Sequence, residues 1–356
     1  MKEFWSDRIR SLTPYTPGEQ PKGRKFIKLN TNENPYPPSP KALAAIQANT
    51  DASLRLYSDP DAADLRAAIA KTYSVKPEQV FVGNGSDEVL AFAFQAFFDP
   101  GSTILFPDIT YSFYPVYANM FGINYRTVPL CPDFTIPVEP MLGDNDGIVL
   151  ANPNAPTGLA LPLDQVEALV ASNPGHVVVV DEAYVDFGAA SAAALLGRYE
   201  NLLVVMTYSK SRSMAGARLG FALGSRELIA DLERLKYATN PYNVNRLTLR
   251  LGEAAVDSDP YFRANARRIM ATRDKTARAL REMGFRLPDS QANFLFVTHP
   301  RIDGARLYQK CRERGILIRH FSDPAIAQYN RVTIGAEEEM ETFLTMVRDI
   351  LREEGL

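Results

Sequence analysis

The stretch TYSKSRSMAGARLG (207–220) sets a lone lysine, Lys210, among small hydroxyl residues just after the aliphatic run NLLVVM, with Arg218 eight positions on. A surface lysine would sit among other charges on a solvated face. One placed at the end of a buried strand meets a desolvation penalty unless its amine is neutral, paired or used covalently. A second run, HVVVVD (176–181), ends in Asp181, and carboxylates are seldom buried without a partner. A third, QVFV (79–82), runs into GNGSDE, where Gly85, Ser86 and Asp87 form a tight turn into an apolar helix, a cradle for an anion. An imine-forming amine, a carboxylate for a ring nitrogen and a phosphate anchor are together what pyridoxal 5′-phosphate requires.

These residues need elements that bring them to one place. From about residue 60, short apolar runs alternate with helix-length segments, the pattern of βαβ units around a mostly parallel sheet. The runs QVFV, STILF (102–106), GIVLA (147–151), HVVVVD and NLLVVM are too short for helices and read as buried strands. Between them LPLDQVEALV puts Val166, Leu169 and Val170 on one face, and RELIADLERLKYA does so with Leu228, Ile229, Leu232 and Leu235. In such a sheet ligands bind beyond the carboxyl ends of the strands. The strand ends here carry GNGSDE, PDITY, NPNAPTG, Asp181 with Tyr184, and TYSK.

A second α/β unit is expected from near residue 250, with the long helix YFRANARRIMATRDKTARALREMGF, the runs NFLFV, ILIRHF and RVTIG, and a terminal helix. The first fifty residues are rich in Pro, Asn and Thr, hold one strand-like run, KFIKL, and are expected to pack on that unit. The division is thus a large domain over 50–250 and a small one from 1–49 and 251–356.

Taken singly, several of these features have plainer readings. GNGSDE can be a capping turn with Ser86 or Asp87 as N-cap. It lacks the Gly-Lys-Ser/Thr of a Walker loop, and as a dinucleotide fingerprint it has Glu88 in the third glycine position, although Asp108 could serve as the ribose acid. NPNAPTG can be a loop and nothing more. Tyr111 and Tyr184, as single aromatics, would pack. A nicotinamide-dependent dehydrogenase built on the 83–88 turn would leave Lys210, Asp181 and Arg218 without a role.

Composition narrows the function classes. The 356 residues are 46% apolar and 23% charged with a net charge of −3, so no basic field or Lys/Arg run invites nucleic acid. Two cysteines and three scattered histidines assemble neither a disulfide framework nor a metal site. The N-terminal MKEFWSDRIRSL has no signal-like apolar core, and no run approaches the roughly 18 residues of a membrane span. A cytoplasmic protein acting on small molecules is expected.

The ordered set LTPYTPG, LNTNENP, LYSDPDAADLR, GNGSDE, NPNAPTG, DEAYVDF, TYSKSRSMAGARLG, ANFLFV and YNRVTIG resembles the fold-type I pyridoxal-phosphate aminotransferases over nearly the whole chain, most closely the histidinol-phosphate aminotransferase branch. The resemblance implies that Lys210 carries the cofactor as a Schiff base and moves the proton, that Asp181 partners the pyridine nitrogen, and that Tyr184 meets the ring hydroxyl while Tyr111 stacks on the ring. Gly85, Ser86, Asp87, Thr207, Ser209 and Arg218 would hold the phosphate, with Tyr57 from the second subunit of a homodimer. Arg331, helped by Arg319, would clamp the substrate carboxylate, and Tyr15 would lie by the side-chain pocket. Where the family often has Asn before Pro-Thr-Gly this chain has Ala155, and Asn154 is the expected replacement. An aromatic or broad-range transaminase and a threonine-phosphate decarboxylase share the same cofactor residues.

Overall fold

A computed structural model describes residues 4–10 and 12–356. Its strands are β1 (Ile27–Lys28), β2 (Val80–Gly83), β3 (Thr103–Pro107), β4 (Asn124–Val128), β5 (Ile148–Ala151), β6 (Val178–Asp181), β7 (Leu202–Thr207), β8 (Gly220–Leu223), β9 (Phe294–Val297), β10 (Ile316–Leu317), β11 (Arg319–His320) and β12 (Asn330–Thr333). Seven of them form one sheet in the order β2-β8-β7-β6-β5-β3-β4. All its neighbours run parallel except β8, which is antiparallel to both β2 and β7.

The five aliphatic runs are five of these strands, shifted by two residues at most, because strands buried on both faces must be apolar on both. Alternation sorts them: Val178 and Val180 enter one apolar layer, Val179 the opposite one. Two strands escaped the pattern. NYRTV (β4) is an edge strand with four exposed residues and carries no apolar run, and the buried GFAL (β8) is short and bounded by Gly220 and Gly224.

The C-terminal unit is a three-stranded antiparallel sheet, β11-β12-β9, beside the parallel pair β1-β10. The helices Asp259–Glu282, Gly304–Glu313 and Glu337–Glu353 cover it around Leu29, Ile269, Leu295, Phe343 and Val347. The early chain divides between the two units. β1 joins β10, but the helix Pro40–Ala48 packs on Arg246–Val256, with Ala42 in the large apolar layer and Ser39 Oγ donating to Ser258 Oγ at 2.8 Å. The expectation that the whole segment docks on the C-terminal unit therefore holds through Asn32, which bonds Thr333 and Asn293, but not for the helix that follows, which the small Ala42 lets close against the larger core.

Candidate active site

β7 ends at Thr207, and the turn after it carries Ser209 and Lys210 into a cavity of about 290 Å³ lined by both units. Thr207 Oγ1 donates to Ser209 Oγ at 3.0 Å and accepts the Ser209 amide at 3.1 Å, which curls the chain so that the next side chain enters the cavity. Lys210 is half-buried. Its Nζ donates to the Thr31 carbonyl at 3.2 Å and lies 5.8 Å from the centre of the Tyr184 ring. Asn34 Nδ2 donates to the Lys210 carbonyl at 2.9 Å and so holds the lysine's backbone. The amine thus faces a polar wall and the cavity, not an apolar core.

Asp181 closes β6 and shares the parity of Val179, so its carboxylate falls on the face where Tyr114 packs. Tyr114 donates its hydroxyl to Oδ2 at 3.0 Å, while Oδ1 is buried without a hydrogen-bond partner. Burial pushes this acid up to about 7, against the hydrogen bond from Tyr114. Its neighbour Glu182 is likewise pushed by burial to about 8, but accepts from Ser191 Oγ and the Ala192 amide and lies outside the cavity lining. Of these two buried acids, only Asp181 offers an unused oxygen beside the lysine. A ring N–H is the group such an oxygen suits.

The anion cradle has a tight geometry. The helix Ser86–Phe97 starts after Gly85, whose φ is +82°, and no side chain caps it; Ser86 and Asp87 face the cavity. A Cβ on Gly85 would lie 2.5 Å from Arg218 Nη2, and one on Gly220 would lie 2.3 Å from the Ser86 nitrogen. Gly220 is therefore required by close approach to backbone and Gly85 by its positive φ. Arg218 reaches over this turn and donates to Asp87 Oδ2 at 2.9 Å, while Tyr111 donates to Oδ1 at 2.8 Å. The N-cap reading of Asp87 gives way to this: its carboxylate is shared between Arg218 and Tyr111.

The opposite wall belongs to the C-terminal unit, where Arg319 and Arg331 are register partners on β11 and β12. Arg331 Nη2 donates to the Asn30 carbonyl at 3.1 Å, its Nε is buried without a partner, and its guanidinium lies 5.3 Å from the Phe294 ring centre. Burial lowers its pKa. Arg319 donates to the carbonyls of Thr16 and Pro17, tying down the segment that bears Tyr15. Tyr15 stacks on Phe113 with centroids 4.3 Å apart and also lines the cavity.

Tyr184 lines it too, edge-on to Phe294, and accepts from Asn32 Nδ2 at 2.9 Å. One expected residue is elsewhere. Asn154 is fully buried, its Nδ2 donating to the Ile109 carbonyl at 2.9 Å and its Oδ1 accepting from Thr110 Oγ1 at 2.7 Å. It braces the loop before Tyr111, and the cavity wall at this point is Ala155. Tyr57, expected to serve a second subunit's site, stands 77% exposed on the surface, stacked on Tyr242 at 4.4 Å. Asp108 lies outside the cavity lining; its Oδ1 accepts the amides of Ile109 and Leu130, which removes the ribose acid that a dinucleotide site would need.

The sequence reading overlooked Tyr114 and the segment Asn30–Asn34. Tyr114 sits three residues after Tyr111, a helical spacing that could have flagged it. Asn32 gives only the Asn-rich character of its stretch as a signal.

Comparison with known proteins agrees with this geometry. The family model "Aminotransferase class I and II" matches residues 24–347. The chain is 49% identical over 354 residues to a histidinol-phosphate aminotransferase of Brachyspira hyodysenteriae, covering 99% of this chain and 100% of that one. It is 53% identical over 351 residues to histidinol-phosphate aminotransferase 1 of Methylococcus capsulatus, covering 99% and 98%. In fold it is similar to the Sinorhizobium meliloti histidinol-phosphate aminotransferase solved with pyridoxal-5′-phosphate, with a TM-score of 0.89, 23% identity and 99% of each chain covered. It is also similar to the Thermus thermophilus aspartate aminotransferase with maleate, at a TM-score of 0.85, 22% identity, and 98% and 100% covered. The chain belongs to the class I and II aminotransferases.

Proposed function

We infer that this chain is a pyridoxal 5′-phosphate-dependent aminotransferase moving an amino group between histidinol phosphate and 2-oxoglutarate/glutamate, a step of histidine biosynthesis. The observation that carries the chemistry is the unpartnered Oδ1 of buried Asp181 beside the Lys210 amine in one cavity. The substrate is carried by the identity of about half over full length to relatives that bear that activity's name.

When bound, the cofactor supplies an electron sink for the pair left as the substrate's α-carbon loses its proton. This chain's residues do the rest. Asp181 Oδ1 would hold a proton on the ring nitrogen, which would relieve its own desolvation. Lys210 Nζ would take the proton from the substrate's α-carbon and deliver it to the cofactor carbon on the far side of the bridging nitrogen; Thr31 and Asn34 keep its swing within reach. The cradle of Gly85, Ser86, Asp87, Thr207, Ser209 and Arg218 would take the phosphate, Tyr111 would stack on the ring and Tyr184 would meet its hydroxyl. Arg331, with Arg319, takes the carboxylate of glutamate in one half-reaction. Histidinol phosphate has an alcohol there, so in the other half Arg331 meets the substrate phosphate. Tyr15 borders the side-chain pocket.

The reading includes a cytoplasmic homodimer. Free Cys131 and Cys311 suit a reducing compartment, and among the described residues no helix is long and apolar enough to cross a membrane. Exposed Leu54, Leu56, Tyr57 and Tyr242 form an apolar surface that suits a partner, to whose phosphate cradle Tyr57 would reach.

An aromatic transaminase is the second reading, favoured by the Tyr15–Phe113 stack at the cavity. Half-reaction spectroscopy separates them. The loaded protein is mixed with histidinol phosphate, phenylalanine, tyrosine or threonine phosphate, and loss of its visible band is timed. Histidinol phosphate should be fastest; a faster aromatic donor overturns the substrate assignment. Borohydride followed by peptide mapping should find the cofactor on Lys210 alone.

A further inference from the structure

Residues Asn30 to Asn34 touch three functional side chains at once: the Asn30 carbonyl accepts from Arg331, the Thr31 carbonyl from Lys210, and Asn32 donates to Tyr184. Asn32 is the most constrained of them. It is 1% exposed with φ at +55°, a left-handed conformation that Asn tolerates better than most residues. Its amide donates to Thr333 Oγ1 at 2.9 Å, its carbonyl accepts from Asn293 Nδ2 at 3.0 Å, and its Oδ1 accepts from Thr333 Oγ1 at 2.9 Å.

These bonds fix a direction. Thr333 Oγ1 already receives a backbone N–H, and as a buried hydroxyl it must pass its own proton to an acceptor. The Asn32 oxygen is that acceptor, so the other end of the amide is Nδ2, a donor, and it points at Tyr184 Oη. Tyr184 is therefore filled on its acceptor side. Its hydroxyl proton turns away from Asn32.

We propose that Asn32 is a positioning residue that aims the Tyr184 proton at the ring oxygen of the cofactor, standing in for the donor that Ala155 does not provide. The proposal rests on the reading that Tyr184 faces that oxygen. It also ties the proton's direction to β12, which carries Thr333, so the C-terminal unit has a say in how the ring is held.

The test is the pH at which the visible band of the loaded protein changes, because a proton donated to the ring oxygen stabilises its negative charge and weakens the hold on the proton at the lysine-linked nitrogen. The charged and titratable groups around Tyr184 are Lys210, Arg331, Tyr114 and Asp181, and the substitutions leave them in place. Asn32→Gly keeps the left-handed backbone and removes the donor. Asn32→Asp reverses the bond, accepting the Tyr184 proton. The midpoint should rise in both, by about one unit or more in Asn32→Asp. In a Tyr184→Phe background neither change should move it. Unmoved midpoints in both single variants overturn the proposal; so does a shift that survives in Tyr184→Phe, which would be a bare charge effect. Should Asn32→Asp fold poorly by circular dichroism, Asn32→Gly alone decides. Failure of the wild-type protein to retain coloured pyridoxal 5′-phosphate after gel filtration sinks the cofactor reading itself, a separate outcome.

Discussion

The two walls of the cavity treat their cations in opposite ways. At the strand ends Arg218 is 45% exposed and paired with Asp87 at 2.9 Å, so its charge is balanced and partly hydrated. On the C-terminal wall Arg331 has a carbonyl and two aromatic faces but no carboxylate, and one of its nitrogens is buried without any partner. The first arrangement costs little to maintain and is suited to a ligand that stays. The second is destabilising until an anion arrives, so it selects for one, and it suits a substrate that must come and go. Resident cofactor and passing substrate are read from opposite banks.

The predictions press on that contrast. Lys210→Ala should lower turnover by more than about a thousandfold, and borohydride should fix no pyridoxal 5′-phosphate to the variant. Turnover near the wild-type level would remove the lysine from the mechanism. Arg331→Met should cost roughly 100- to 10,000-fold in kcat/KM for glutamate, the loss of two charge-assisted bonds of about 1.5–3 kcal/mol each. The same variant should melt higher than wild type when free of ligands, since a buried unpaired cation has gone. If it melts lower, the cation was balanced after all and the contrast between the walls dissolves.

Arg218→Ala should weaken cofactor binding by about 10- to 150-fold, and Ser209→Ala by about tenfold or less, measured by equilibrium dialysis. Equal losses would mean that the forked guanidinium has no special part. The smallest effect concerns Asp181. Its acid is raised by burial to about 7 in the protein, above an ordinary value of 3.8. A raised carboxyl gives stability that is full below the unfolded value and is lost as pH climbs through the folded one. The cofactor-free Asp181→Asn protein, which has nothing to ionise, should match wild type in melting temperature near pH 4 and exceed it by a few degrees at pH 8. A gap that does not change with pH would show that the carboxylate is already paired.

Much of the strand-end wall was legible in the sequence because one local rule exposes it: a polar residue that interrupts a continuous aliphatic run stands out. Asp181 after four valines and Lys210 after NLLVVM are of that kind. Arg331 and Arg319 were found only through the family resemblance, since a β-strand arginine carries no mark of whether it will be buried. Asn32 was invisible, because its meaning lies in bonds to Thr333, Asn293 and Tyr184, each more than a hundred positions away. Asn154 shows the converse error. Proximity in sequence to Ala155 suggested that it would take over, but Asn154 is closed into a tight turn with Gly158 and Leu159, and its amide went to the Thr110 loop.

The reversed strand β8 explains why the lysine and the arginine keep so short a distance in the chain. A parallel successor to β7 would need a crossover of a dozen residues or more, returning to the far edge of the sheet. By turning back at once, the chain begins β8 at the edge where β7 stopped, with Gly220 pressed against the first amide of the cradle. Residues 211–217 are thus a clasp of fixed length, and lengthening it would unhook the guanidinium from the amine it accompanies, whereas slack inserted near Gly197, at the other rim, would leave the clasp shut.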